Sequence, residues 1–322
     1  MPEWLIERGI GETRAALVDE GEIVEARVEL DGAVPAGSVL GARLASVGVN
    51  GRKAIAVDER GAEYLLPRGA PGTTEGAAIS IEVTREAILG GEPWKRPLAK
   101  LTDRAIETLP PLAERLGART VAFPSATDAL GALGWNDLID EARMGVVAFA
   151  DGELRISPTA AMTLVDVDGN LPPQELAVLG AGEAAKAIRR LDIGGSIGID
   201  LPTAGSKAAR QDAAAAIEAV VPQPFERTAV NGFGFIQVVR PRLRASLVEL
   251  AQDRAAFEAR ALLRRAAFEP PGSKRLAAHP AEIAVLQGRK DWIDALARQV
   301  GGAIELRGDP SLPMSSGYAE AL

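Results

Sequence analysis

The chain has 322 residues, a formal net charge of -8, no cysteine and a single histidine. That length gives ample core for several domains, and the acidic balance argues against non-specific coating of nucleic acid while leaving room for a local basic groove. Without cysteine there are no disulfides, thiolate zinc sites or cysteine nucleophiles, and one histidine removes His-rich metal sites and most Ser-His triads, so any chemistry runs on Asp, Glu, Lys, Arg and hydroxyls. No stretch approaches ~20 uninterrupted apolar residues, and Met1-Pro2-Glu3-Trp4 lacks a basic, apolar leader. A cytoplasmic protein with no membrane partner is expected.

From Trp4 to Glu29 apolar and polar residues alternate about the turn Asp19-Glu20-Gly21-Glu22, which predicts a β-hairpin. Residues 38–88 follow as short strands: Val39 to Leu44, Lys53 to Asp58, Glu63 to Pro67 and Ile79 to Val83. Turn signals separate them, including Val49-Asn50-Gly51. That spacing predicts a small OB-like barrel, a fold suited to single strands. In the proline-bounded linker after it, Trp94 can stack a base while Lys95 and Arg96 meet phosphate; equally, Trp94 can pack on the barrel.

The pattern then turns to α/β. A helix is expected over 101–116, ended by Gly117, then a strand over 120–123 and a helix starting near Thr127-Asp128. Two β-branched runs follow, Thr163-Leu164-Val165 leading to Asp166 and Asp168, and Ser196 to Ile199 leading to Asp200. Asp166 and Asp168 share one face of a strand, and a crossover helix between the runs would set Asp200 on the neighbouring strand end. Acids so placed suit Mg²⁺, which takes one or two carboxylates plus waters and substrate phosphate; the alternative is that they cap turns.

Gly180-Ala181-Gly182 and Ala185 also match a dinucleotide-binding fingerprint with Asp200 at the ribose position. Glu183 would repel a pyrophosphate there, and Pro172-Pro173 starts a helix running through the glycines. A dinucleotide-binding oxidoreductase is therefore the remoter alternative. Beyond lie a helix over 207–219, a strand pair near 226–229 and 234–239, and the run Arg240-Pro241-Arg242-Leu243-Arg244, whose arginines suit backbone phosphates. A helix over 246–267, a boundary at Pro270-Pro271-Gly272, a strand–helix–strand unit over 275–308 with one helix from 282 to 300, and a loose tail from Pro313 complete the chain. His279 reads as a turn or cap residue.

Three runs carry a resemblance. Thr159 to Val167 resembles T-x-A-[LM]-T-x-[IV]-D-[IV], Ile193 to Asp200 resembles L-G-G-x-I-x-I-D behind an E-A-A-x-x-I helix at Glu183 to Ile188, and Phe233 to Leu243 resembles F-G-[LF]-[LI]-x-x-x-R-x-R-L. These are motifs of the ribonuclease E / ribonuclease G family, of which the chain resembles a short, divergent member. The resemblance implies a mixed α+β, multi-domain protein: an N-terminal β segment of a ribonuclease-H-like part (1–36), an S1-type OB barrel (37–97), a reduced 5′-sensor-like α/β segment (98–150), an α/β nuclease core (151–269) and a small C-terminal α/β domain (270–322).

It also implies a Mg²⁺-dependent endoribonuclease acting on single-stranded RNA, with Mn²⁺ as a substitute ion. Asp166 and Asp200 would be the metal ligands and Asp168 would complete the catalytic set. Arg240, Arg242, Arg244, Trp94, Lys95, Arg96 and Tyr64 would contact RNA. Asp168 stands where the family usually has Asn, the 5′-monophosphate clasp falls at Phe123-Pro124, and no CxxC zinc link exists. Zinc is therefore not expected and a homo-oligomer would not be zinc-linked. An RNA-binding protein of the same fold with weakened catalysis is the main alternative.

Overall fold

A computed structural model describes residues 1–48, 53–88 and 95–322; Trp94 and the turn at 49–51 lie outside the described residues. The chain opens with a meander of β1 (Glu3–Arg8), β2 (Glu12–Asp19) and β3 (Glu22–Leu30). The predicted turn has Glu20 and Gly21 both at positive φ, 51° and 87°. Two such residues in a row form the tight link that matches strand twist.

Next comes a closed barrel of β4 (Val39–Val47), β5 (Ala54–Asp58), β6 (Glu63–Leu66), β7 (Ala78–Arg85) and β8 (Leu98–Leu101), in the order β4-β5-β6-β8-β7. Leu44, Ala56, Tyr64, Leu66, Ile81 and Val83 fill it. The expected helix over 101–116 is therefore corrected. Leu98–Leu101 is the strand that closes the barrel, which ends past residue 97, and only α1 (Leu112–Leu116) is helical. Pro110 and Pro111 account for this: neither can donate inside a helix, and the residue before a proline is pushed to extended backbone. Gly117 ends α1 in the left-handed region, as its position predicts.

The chain then returns to its beginning. Strand β9 (Arg119–Val121) pairs in parallel with β1, giving the sheet order β3-β2-β1-β9. The barrel is thus inserted between two parts of one sheet, and residues 98–150 are shared among the barrel, that sheet and the next layer. After α2 (Trp135–Met144) come β10 (Val146–Phe149), β11 (Gly152–Pro158), β12 (Thr163–Gly169), α3 (Pro173–Arg190), β13 (Gly195–Asp200), α4 (Lys207–Val220), β14 (Glu226–Arg227) and β15 (Phe235–Arg240). They build a six-stranded sheet ordered β10-β11-β12-β13-β15-β14.

Helix α3 starts with Pro173 in its first turn and lies between layers, packing on β12, on α4 and on β3 of the first sheet. Its buried positions are nearly all small: Ala177, Gly180, Ala181, Ala184, Ala185 and Ala187. Small side chains let the backbones approach. Gly180 is the tightest point, since a Cβ there would sit 2.3 Å from Val167 Cγ1. Gly180 and Gly182 are therefore mid-helix residues rather than a strand-to-helix phosphate turn, and the fingerprint match is corrected.

The remainder is α5 (Leu247–Leu250), α6 (Arg254–Phe268), β16 (Lys274–Ala278), α7 (Pro280–Gln287), α8 (Lys290–Val300), β17 (Ile304–Gly308) and β18 (Tyr318–Ala321). The expected helix over 246–267 is divided after Leu250, because Ser246 and Glu249 form a reciprocal cap around a single turn and Asp253 starts a second helix. The expected helix over 282–300 divides at Gly288. The expected loose tail is also corrected: Tyr318–Ala321 pairs antiparallel with β16, completing the sheet β17-β16-β18. His279 caps α7, its Nδ1 accepting from the Ala281 N–H at 3.2 Å.

A buried ion network joins the first sheet to α6. Arg14 donates to Glu7 at 2.6 Å and to Glu12 at 2.7 Å, Arg260 donates to Glu12 at 2.8 Å, and Arg264 donates to Glu7 at 2.9 Å and to Asp128 at 2.8 Å. On α7, which packs against α6, Glu282 is fully buried. Burial, then the charge of Glu258, push its carboxyl up to about 7. No helix among the described residues is long and apolar enough to cross a membrane.

Gly180→Ala should destabilise the fold by about 1–3 kcal/mol through overpacking. Gly182→Ala, whose new Cβ would meet nothing nearer than 4.0 Å, should stabilise it by about 0.5–1 kcal/mol. Denaturant midpoints check both. Because the folded-state pKa of Glu282 is raised, its protonated form favours folding below about pH 4.5 and that contribution is lost as pH rises through about 7. Glu282→Gln should therefore raise the melting temperature by a few degrees at pH 8 and change it little at pH 5.

Candidate functional site

The two acidic strand ends do meet. Strand β12 pairs in parallel with β13, and the register sets Asp166 directly beside Asp200. Thr163, Val165 and Val167 point into the core and Leu164, Asp166 and Asp168 point out, the two-residue alternation expected of a half-buried strand. On the far side of β12, Arg155 faces Asp166 and Glu153 faces Asp168. On the far side of β13, Phe235 faces Asp200 and Gln237 faces Gly198. One row across four strands thus reads Arg155, Asp166, Asp200, Phe235. Helix α3 packs on β11 and β12 from the opposite face, with α4 packed on α3, so the exposed acids of this row stand on the other face of the sheet.

The row is acidic and its charges are coupled. Partial burial raises the Asp166 carboxyl above the usual aspartate range, and the charges of Asp168 and Asp200 raise it further. The Val167 backbone hydrogen bond and the more distant Arg155 act against this. Arg155 itself is paired with Glu153. Neighbouring strands lie about 4.8 Å apart, so a cation between Asp166 and Asp200 would meet a carboxylate from each and relieve the repulsion.

Among the described residues no three His, Cys, Asp or Glu side chains converge as a ready-made metal cage. Mg²⁺ does not need one, because it keeps several waters and takes one or two carboxylates. The donor set is all oxygen, which suits a hard cation such as Mg²⁺ or Mn²⁺. A cavity of about 700 Å³ between the barrel, the end of β3 and α8 contains none of the three aspartates. The acids stand on a surface open along the strands, a shape suited to an extended polymer.

The expected RNA contacts are distributed quite differently. Arg240 lies opposite Gly195, at the other end of β13 from Asp200, a separation of about 17 Å at 3.3–3.4 Å per residue. Its guanidinium donates to the carbonyls of Ile193 at 2.8 Å and Ile188 at 3.3 Å, closing the end of α3, and burial lowers its pKa. Arg242 is paired with Glu249, and Arg244 with Asp192 at 2.6 Å. These arginines satisfy internal acceptors.

Tyr64 is inside the barrel rather than on its face, 1% exposed, and donates to Asp58 Oδ2 at 3.2 Å. Arg96 is exposed and donates to Glu63 at 2.5 Å, while the Lys95 carbonyl accepts from the Ile88 N–H. Both hydrogen bonds of Arg96, from its guanidinium to Glu63 of β6 and from Arg85 of β7 to its carbonyl, join it to the barrel. Conversely, Phe233 and Phe235, quoted above only as part of a motif, come to the edge of the row; the signal was an F-G-F run opening the strand that pairs with the acid-bearing β13.

No protein-family model matches the chain, and no curated protein matches it. The electrostatics of the row give a direct check. Asp168→Asn should lower the pKa of Asp166 toward the usual aspartate range, as should Asp200→Asn. Carboxyl carbon shifts followed by NMR through an acid titration would read this, and an unchanged Asp166 midpoint would show that the three groups are uncoupled.

Proposed function

We propose that this protein is a metal-dependent endoribonuclease of the ribonuclease E / ribonuclease G type, cleaving single-stranded RNA in the cytoplasm. One observation carries the reading: the register of β12 and β13, which puts Asp166 beside Asp200 on an open sheet surface with Asp168 next in line. Two aligned carboxylates with a third one pleat away, and a raised pKa at Asp166, leave a demand for positive charge at the centre of the row.

Asp166 and Asp200 would hold the ion, Mg²⁺ or Mn²⁺, which supplies charge stabilisation at a phosphodiester and a more acidic bound water. Asp168, one pleat along the same strand, would accept a hydrogen bond from the attacking water and orient it toward phosphorus. The water oxygen would bond to phosphorus as it gives up a proton to solvent, and the P–O bond to the leaving oxygen would break as that oxygen takes up a proton from solvent. The open row lets the RNA chain cross the strands without threading a pocket.

A second reading is favoured by one specific difference. Asp168 replaces the Asn usual in the family motif and adds a negative charge that also repels substrate, so the fold can serve as an RNA-binding protein with weakened catalysis. Both readings predict RNA binding that weakens with salt. They separate in a gel assay with end-labelled single-stranded RNA. Mg²⁺-dependent cleavage is expected from the wild type, lost by about 100-fold or more in Asp166→Asn and Asp200→Asn, since a metal ligand contributes several kcal/mol to the barrier. Both variants should keep or raise the melting temperature without metal, because each removes one of three repelling charges. Wild-type-level cleavage by folded Asp200→Asn would overturn the nuclease assignment, and binding without cleavage by the wild type would establish the second reading.

A further inference from the structure

We infer that Phe233 and Phe235 form a stacking platform for one unpaired base of the RNA whose backbone crosses the aspartate row. The inference rests on the proposed RNA function and assigns a base-contacting subsite within it. Phe235 opens β15 directly opposite Asp200. A Cβ built on Gly198 would lie 2.6 Å from Phe235 Cζ, 2.9 Å from its Cε2 and 3.0 Å from Met162 Sδ. The ring therefore lies across β13, over Gly198, which has no side chain, two residues before Asp200.

Phe233 is 84% exposed, yet its backbone is firmly held. Asn231 Oδ1 accepts from the N–H groups of Phe233 at 2.9 Å and Phe235 at 3.1 Å, and the Gly234 N–H donates to the Asn231 carbonyl at 3.2 Å. Gly234 has φ +96°, and a Cβ there would stand 2.1 Å from the Leu201 carbonyl oxygen. The Leu201 N–H donates to the Gly234 carbonyl at 3.2 Å, and the Thr203 hydroxyl donates to the Phe233 carbonyl at 3.4 Å. The turn is thus tied to the segment that leaves Asp200.

An exposed phenyl on a fixed backbone leaves its apolar surface in water. Phe235 and the half-exposed Leu164, which flank Gly198, add an apolar patch beside the acids. A protein partner covering that patch would also cover Asp166, Asp168 and Asp200, at a cost of several kcal/mol for each uncompensated charge. A second copy related by two-fold symmetry would bring its own aspartates against them. A nucleobase fits instead: it is flat and small enough to cover the rings while the row stays hydrated. Aromatic side chains on a sheet surface stack bases in the same manner elsewhere.

The test is binding of a fluorescein-labelled single-stranded RNA by anisotropy in Ca²⁺, compared with the same RNA carrying one abasic site at successive positions. Wild type should lose affinity when the abasic site reaches the platform. Phe233→Ala should bind the intact RNA about 5- to 100-fold more weakly, the range of one base–aromatic stack, and should no longer distinguish intact from abasic RNA. Phe233→Trp should restore both. Equal affinity of Phe233→Ala and wild type, or a loss that ignores the abasic site, would overturn the platform while leaving RNA binding intact. A wild type that binds no RNA would overturn the RNA reading and the platform with it. Self-association of the wild type abolished in Phe233→Ala would give the patch to a second copy.

Discussion

Everything distinctive about the surface depends on a parallel pairing of two strands joined by one helix. A parallel pair requires a crossover long enough to return the chain to the same end of the sheet, and α3 is that crossover. Because both strands then run the same way, residues at equivalent positions on the two strands become neighbours, and the acids at their ends align as Asp166 and Asp200. The helix must also approach closely enough to be shared by two layers, which explains why its contact surface is alanine and glycine rather than leucine. Like charges side by side cost free energy, and the rest of the fold holds them there with hydrophobic packing beneath: Val165, Val167, Ile197 and Ile199 are all buried.

The second organising feature is the chain of ion pairs from Asp128 through Arg264, Glu7, Arg14 and Glu12 to Arg260. Each member is held by at least one partner from another element or strand position, and most are nearly inaccessible to water. Burial pushes the Glu12 carboxyl up, yet the charges of Arg14 and Arg260 more than offset this and hold it below the usual glutamate range. Asp128 behaves likewise through Arg264. Networks of this kind stabilise little compared with an apolar core of the same shape, but breaking one link strands a charge. Their value here is positional: only one docking of α6 on the first sheet satisfies all the guanidinium groups.

The contrast between what could and could not be foreseen has a simple physical origin. The aspartate row was legible because strand periodicity and short-range connection rules fix which residues share a face. The barrel was legible in four of its strands for the same reason. Its closing strand, Leu98–Leu101, is only four residues long and follows a proline-rich segment, so its membership is decided by the Leu65 and Val83 neighbourhood rather than by its own pattern. Tyr318–Ala321 likewise becomes a strand because β16 offers an edge. Arginines were the least legible. A guanidinium reaches far enough that its partner is set by tertiary structure, so Arg240, Arg242 and Arg244 read as a basic surface run and are in fact tied to Ile193, Glu249 and Asp192. Arg260 and Arg264 are likewise tied within the fold, to Glu12 and to Glu7 and Asp128.

The insertion of the barrel into the first sheet sets an order of events for the newborn chain. Strand β1 receives β2 almost at once, but its other edge is completed by β9, with Leu5 meeting Arg119. At about 5–20 residues per second of synthesis, that edge waits roughly 5–20 s for its partner. The intervening chain forms a closed barrel with no free strand edge of its own. A module that can finish its own hydrogen bonding while the sheet around it is still open keeps the two from pairing with each other, and it brings the ends of the insertion together: Val39 and Glu107 exchange backbone hydrogen bonds at its base. The barrel therefore acts as a clasp that shortens the effective loop between β3 and β9, lowering the entropy cost of the longest-range pairing in the first sheet.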